Sequence, residues 1–131
     1  MIGLDTNVLV RYLAQDHPIQ SRKATDLIER ELTDQNPGFV SVVAMVETVW
    51  VLQRIYTLTP PELAAAIEQI LATDILVVEN EQEIFTAIVA VKEGNGSFSD
   101  ALIAAHGKKA GCSYTVTFDQ KALRLAGFKP L

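Results

Sequence analysis

Cysteine is nearly missing from this sequence: Cys112 is the only one in 131 residues. An internal disulfide is therefore excluded, and a lone thiol fits a reducing cytosol. Positive charge is also short. Eleven Lys and Arg stand against 16 Asp and Glu, for a net charge of −5. The totals hold no basic footprint for a nucleic acid. Such a ligand would have to be met locally, through a metal, or with a partner supplying charge. A membrane-length apolar run is absent too. The longest candidate, "FVSVVAMVETVWVL", contains Glu47 and is too short to span a bilayer, so no membrane role is expected. The start, "MIGLDTN", lacks a basic region and meets an acid at Asp5, so a signal peptide is not expected and the reading is cytoplasmic. Repeats, low-complexity tracts and Pro/Gly-rich linkers are missing, which leaves one domain over residues 1–131. Neither a His/Cys cluster nor a Ser-His-Asp set competes for the chemistry.

What is present begins with apolar content, 49% of the chain, enough for a sizeable core. "MIGLD" reads as a short buried strand, followed by a helix from about Asn7 to Ala14. Ala24, Leu27, Ile28 and Leu32 have helical spacing within a helix over Ile19 to Thr33. "NPG" is a turn and "FVS" a short extended piece. Val42 to Ile55 is longer than a typical strand and reads as a mostly buried helix. Thr59, Pro60, Pro61 and Glu62 form a capping-box start for a helix to about Ala72. Ile75 to Val78 is a β-branched strand, Asn80 opens a helix to Lys92, and "EGNGS" is a loop. Ala101 to Lys109 is a helix ended by Gly111, "YTVT" a strand, Asp119 to Leu125 a short helix, and the tail suits an edge strand. Short apolar strands alternating with helices predict an α/β fold, a central parallel sheet with helices on both faces.

The acids carry the chemical signal. Asp5 ends the first strand and Asp119 follows "YTVT", and the carboxyl ends of parallel strands in one sheet share a side. Asp100 opens a helix just before that later strand. Glu47 lies among Val46, Val49 and Trp50, where a carboxylate is costly unless paired or bound to a metal. Convergence of all four would cause strong repulsion without a cation, and hard oxygen ligands favour Mg²⁺ or Mn²⁺. Each also has a plainer reading. Asp100 complements a helix dipole, Asp119 is an N-cap, Asp5 ends a strand in a turn, and Glu47 pairs with Arg54 or Arg11. Asn7 is a cap and Thr117 an ordinary strand residue. Cys112, Trp50 and Phe85 read as packing residues, and His106 as structural or at the surface.

Taken together, "MIGLDTNVLVRYL", "SVVAMVETVWVL", "SFSDALIAAHGKKAGC" and "TVTFDQKAL" resemble a PIN domain in order and spacing, with the VapC toxins of bacterial type II toxin–antitoxin systems the nearest likeness. The resemblance covers essentially the whole chain, although Thr59 to Lys92 match mainly in pattern. It implies that Asp5, Glu47, Asp100 and Asp119 form the acidic metal-binding and catalytic cluster, with Asn7 and Thr117 as supporting polar residues. It further implies Mg²⁺- or Mn²⁺-dependent cleavage of RNA, a cognate antitoxin and a homodimer. Arg11, Arg22, Lys23, Lys108 and Lys109 are candidates to guide the backbone or, more simply, surface charges.

Other classes fit less well. A haloacid dehalogenase-type phosphatase needs a second acid two residues after the first, where this chain has Asn7. A receiver domain needs a phosphorylatable Asp ending a central strand and a Lys ending a later one, and neither "ILVVEN" nor "TVTFDQ" provides it. A non-catalytic PIN-like module would show eroded acids. The remaining alternative is a PIN-type nuclease acting on DNA, or in RNA maturation, without an antitoxin.

Overall fold

The structure, a computed structural model, describes residues 1–131. Its contacts divide the chain into two compact units. The first comprises Met1–Thr59 and Gln69–Glu79, and the second Pro60–Glu68 and Asn80–Leu131. The strands are short, and every pairing within the sheets is parallel, as expected of an α/β chain. They form two sheets, one in each unit.

In the first unit, β1 (Ile2–Gly3), β2 (Gly38–Val40) and β3 (Leu76–Val78) pair in the order β1-β2-β3. β1 is shorter than "MIGLD", and its two residues are exposed. Burial begins at Leu4, whose N–H still donates to Phe39 O at 2.9 Å. A Cβ at Gly38 would stand 2.7 Å from the Leu76 Cδ2 atom and 2.9 Å from the Leu32 Cδ1 atom, so those side-chain ends would have to shift to admit one. Helix α1 (Thr6–Ala14) packs against α2 (Pro18–Asp26) and α3 (Val42–Arg54). The helix expected over Ile19 to Thr33 is α-helical only to Asp26. It widens into a π turn over Leu27–Glu31, closed by the Leu32 N–H on Leu27 O at 2.9 Å. Leu9, Ile28, Val40, Met45, Val49 and Leu52 are buried.

The start of α3 is doubly satisfied. Ser41 Oγ accepts the Ala44 N–H at 3.0 Å, and Glu79, just after β3, accepts the Val42 N–H at 2.8 Å. Carboxylates favour this positive helix end. Helix α4 (Pro60–Leu71) contributes residues to both units. No helix is long and apolar enough to cross a membrane.

The second unit holds α5 (Glu81–Lys92) packed on α6 (Phe98–Lys109), with β4 (Thr115–Thr117) and β5 (Phe128–Pro130) as a two-stranded sheet. The edge strand expected from the tail is β5. The helix expected over Asp119 to Leu125 is reduced to one 3-10 turn, Ala122–Arg124. Ile84, Ile88, Phe98, Leu102 and Leu125 are buried.

A polar knot closes the first unit. Tyr56 Oη donates to Asp16 Oδ2 at 2.7 Å, and Arg11 reaches Asp16 Oδ1 at 3.5 Å. The Tyr56 hydrogen bond, with Arg11 as a smaller cause, holds the Asp16 carboxyl below its ordinary range. A depressed folded value favours folding above the unfolded pKa, and the benefit disappears as pH falls through the folded value. Tyr56→Phe is therefore expected to move the Asp16 titration back up toward that of a free aspartate. It should also flatten the loss of stability in acid. Carboxyl NMR titration checks this, and an unmoved Asp16 would refute the arrangement.

Candidate functional site

Asp5 follows β1 and occupies the N-cap position of α1. Its carbonyl accepts the Val8 and Leu9 N–H groups at 3.0 and 3.2 Å, while its side chain makes no cap bond. The backbone thus starts the helix and the carboxylate is left exposed. Asn7 lies inside α1, so it is not the cap.

Glu47 overturns an expectation. Helix α3 is amphipathic rather than mostly buried: Ala44, Met45, Thr48, Val49 and Leu52 face inward. Val43, Glu47, Trp50 and Arg54 are exposed and follow the i, i+4, i+7, i+11 spacing of one opposite stripe. The segment looked buried because Val43 and Trp50 are apolar, yet these are 73% and 54% exposed. Nor does Glu47 pair with Arg54 or Arg11, since Arg11 is held by Asp16, Gln20 and Tyr56.

Asp100 is the third residue of α6, because that helix begins at Phe98 and not at Ala101. Ser97 is the cap, its Oγ accepting the Asp100 N–H at 3.1 Å. The Asp100 side chain is half-buried and, like those of Asp5 and Glu47, makes no hydrogen bond or ion pair within the chain. The serine three positions before Asp100 is a start signal of this helix. So is Phe98, the buried ring that anchors this helix start.

Asp119 and Thr117 form a small turn after β4. Thr117 Oγ1 accepts the Asp119 N–H at 3.0 Å, and Asp119 Oδ1 accepts the Lys121 N–H at 2.8 Å. One carboxylate oxygen is thus engaged, and the other makes no hydrogen bond within the chain.

Asp5 and Glu47 belong to the first unit, and Asp100 and Asp119 to the second. Neither unit holds three or more His, Cys, Asp or Glu side chains grouped closely enough for a metal ion. β1 and β4 lie in different sheets, so the rule that parallel strands of one sheet share a carboxyl side does not by itself join Asp5 to Asp119. Among the basic candidates, Lys109 is engaged with Glu83 at 3.1 Å. This contact, the largest cause, holds the Glu83 carboxyl below its ordinary range. Arg22, Lys23 and Lys108 are exposed and form no ion pair. A cleft of about 590 Å³ lies in the second unit. It is lined by Ala104, Lys108 and Arg124 among others, but by none of the four acids. His106 has a buried Nε2 without a hydrogen-bond partner. Cys112 and Phe85 are exposed, against the expectation that both are packing residues.

The family model of the PIN domain matches residues 2–128. This chain belongs to the PIN domain family. PIN domains are generally nucleases, and PIN nucleases typically use divalent metals. No curated protein matches the chain. Taken one by one, the four acids offer hard carboxylate oxygens, the donor type that hard divalent cations prefer.

Proposed function

We propose that this PIN domain is a Mg²⁺- or Mn²⁺-dependent endoribonuclease acting as the toxin of a type II toxin–antitoxin pair. The observation that carries the reading is that Asp5, Glu47 and Asp100 each present a carboxylate with no partner inside the chain. Availability is a condition for a ligand and not what singles these three out, since Glu31, Asp34, Asp74 and Glu81 are also without an ion pair; their place in the PIN-like segments does that. Asp5, Glu47 and Asp100 would hold the ion, with Asp119 serving a second ion or orienting the attacking water. When bound, such an ion supplies a Lewis acid for a phosphate oxygen and lowers the pKa of its water. Thr117 steadies the Asp119 backbone. Lys121 N–H occupies one Asp119 oxygen, so the other is the one available to water or metal.

The toxin reading is supported by the four acidic segments in VapC-like order. It assigns an RNA substrate, a cytoplasmic site of action, a homodimer and a separate antitoxin whose basic side chain pairs with Asp5, Glu47 or Asp100. A net charge of −5 fits a site whose local positive charge comes from metal or partner.

The purified protein is expected to cut labelled single-stranded RNA in Mg²⁺ or Mn²⁺ and to stop in EDTA. Its expression alone should arrest bacterial growth, and co-expression of a cognate antitoxin, sought in a small gene beside its own, should restore it. Cleavage of DNA but not RNA, or normal growth with no partner co-purifying from the native source, would replace this reading by a PIN nuclease without an antitoxin.

A further inference from the structure

Beside Asp119 stands the most exposed large apolar side chain of the protein, Phe118, 82% open to solvent. Nothing in the second unit packs it away, yet its backbone is well held. The neighbouring Asp119 N–H is bound to Thr117 Oγ1, the Lys121 N–H to Asp119, and the Leu131 N–H to Thr117 O at 3.1 Å. Phe118 is not isolated. Tyr114 and Phe118 flank β4 at its two ends, and Val116 is its exposed middle residue, with Phe118 in the bend that leads to Asp119. Tyr114 and Val116 are each 49% exposed. The β4-β5 register sets Val116 against Lys129, and the Lys129 Nζ lies 4.4 Å from the centre of the Tyr114 ring, which places the lysine on the same face. Single exposed apolar residues need no explanation, but an exposed run with an aromatic ring at each end and a cation over one of them is a patch.

We propose that this face of β4 is a base-stacking platform for single-stranded nucleic acid, with Phe118 taking the base next to the phosphate presented to Asp119. The proposal rests on the nuclease reading of Asp119 and adds how the substrate is gripped. Aromatic faces with a nearby cation are how proteins hold unpaired bases and their phosphates, largely without regard to sequence. An acidic protein needs such a grip, because bulk charge repels its substrate. The rings are four residues apart, which a fully extended backbone would span in about 13 Å, against a roughly 3.4 Å step of stacked bases. They therefore take non-adjacent bases, with Val116 between them and Lys129 toward the backbone.

The test measures binding separately from cleavage, in EDTA at low ionic strength. A short oligouridylate, its deoxy counterpart and an abasic phosphodiester strand of equal length are titrated into wild type, Phe118→Ala and Phe118→Tyr. Wild type should bind both base-bearing strands more tightly than the abasic one. Phe118→Ala should lose between about 5-fold and about 150-fold on the base-bearing strands and nothing on the abasic one, and Phe118→Tyr should restore the affinity. In a Trp50→Phe/Phe118→Trp protein, the base-bearing strands should quench the fluorescence and the abasic strand should not. Equal binding of RNA and DNA would assign the grip to the base alone. A preference for RNA lost in Phe118→Ala would extend it to the ribose held beside that base. A wild type that does not distinguish base-bearing from abasic strands overturns the proposal. So does a Phe118→Ala variant that binds as wild type does, and so does one that changes only the sedimentation coefficient, which would make the face an interface between copies. Loss of the platform with cleavage intact, or cleavage absent with the platform intact, separates this inference from the nuclease reading.

Discussion

Asp5→Asn and Asp100→Asn are each expected to lower metal-dependent RNA cleavage by about 100-fold or more, because a bound metal contributes several kcal/mol of transition-state stabilisation and each of these acids is assigned as a ligand. The same substitutions should barely touch the fold. Asp5 makes no side-chain cap bond, so Asn at that position removes no hydrogen bond within the chain. Asp100 lies in the first turn of α6 and complements the helix dipole, a contribution of about 0.3–1 kcal/mol. Glu47→Gln, on the exposed stripe of α3, should change stability by no more than about 0.5 kcal/mol. Activity should therefore collapse while thermal melts stay nearly superimposed. If Asp100 serves only the dipole, the pattern inverts, with a slightly lower melt and unchanged cleavage. Measuring kcat/KM and Tm for the same preparations decides the matter. Full cleavage by the Asp5→Asn/Asp100→Asn double variant, in material shown free of contaminating nuclease, would remove both residues from the site.

What could be read from the chain beforehand divides along physical lines. The helices were legible where one face is apolar and the ends carry start signals. The capping-box run at Thr59 marks α4, which spans Pro60–Leu71, and Asn80 precedes α5. Parallel strands were legible from β-branched runs such as "LVV" and "TVT". Their division into two sheets was not, because no residue of so short a strand records which strand lies beside it. The exposure of Glu47 is not legible from composition. Helix α3 carries more apolar residues than its inner face can accept, and the excess, Val43 and Trp50, flanks the acid on the outside. The identities of the four acids were readable from segment order. Their geometry was not, because it depends on sheet assignment and on caps such as Ser97. Phe118 was invisible for a related reason: an apolar residue next to a strand reads as core until its neighbours are known, and 82% exposure is a tertiary fact.

The largest stability change is expected at Phe98→Ala. The Phe98 ring is buried in the second unit, opens α6 directly after its Ser97 cap, and lies two residues before Asp100. Removing a buried aromatic costs about 3–5 kcal/mol, the lost transfer free energy together with the cavity left behind. Against a total stability of about 5–15 kcal/mol that is a large fraction. With a urea slope near 2 kcal/mol/M the midpoint should fall by about 2 M. Cleavage should fall as well, even where the variant remains folded. A helix start without its anchor no longer holds the Asp100 carboxylate in one direction, and metal ligands tolerate little misplacement. Phe98→Leu, which keeps most of the volume, should cost less than about 1.5 kcal/mol and preserve most of the activity. The matched control is Phe118→Ala. It deletes the same ring from an exposed position, and its stability should stay within about 0.5 kcal/mol of wild type, a midpoint shift of no more than about 0.25 M. Equal midpoint shifts for the two alanine variants would show that Phe98 does not anchor α6, and the aim of Asp100 would then need another support.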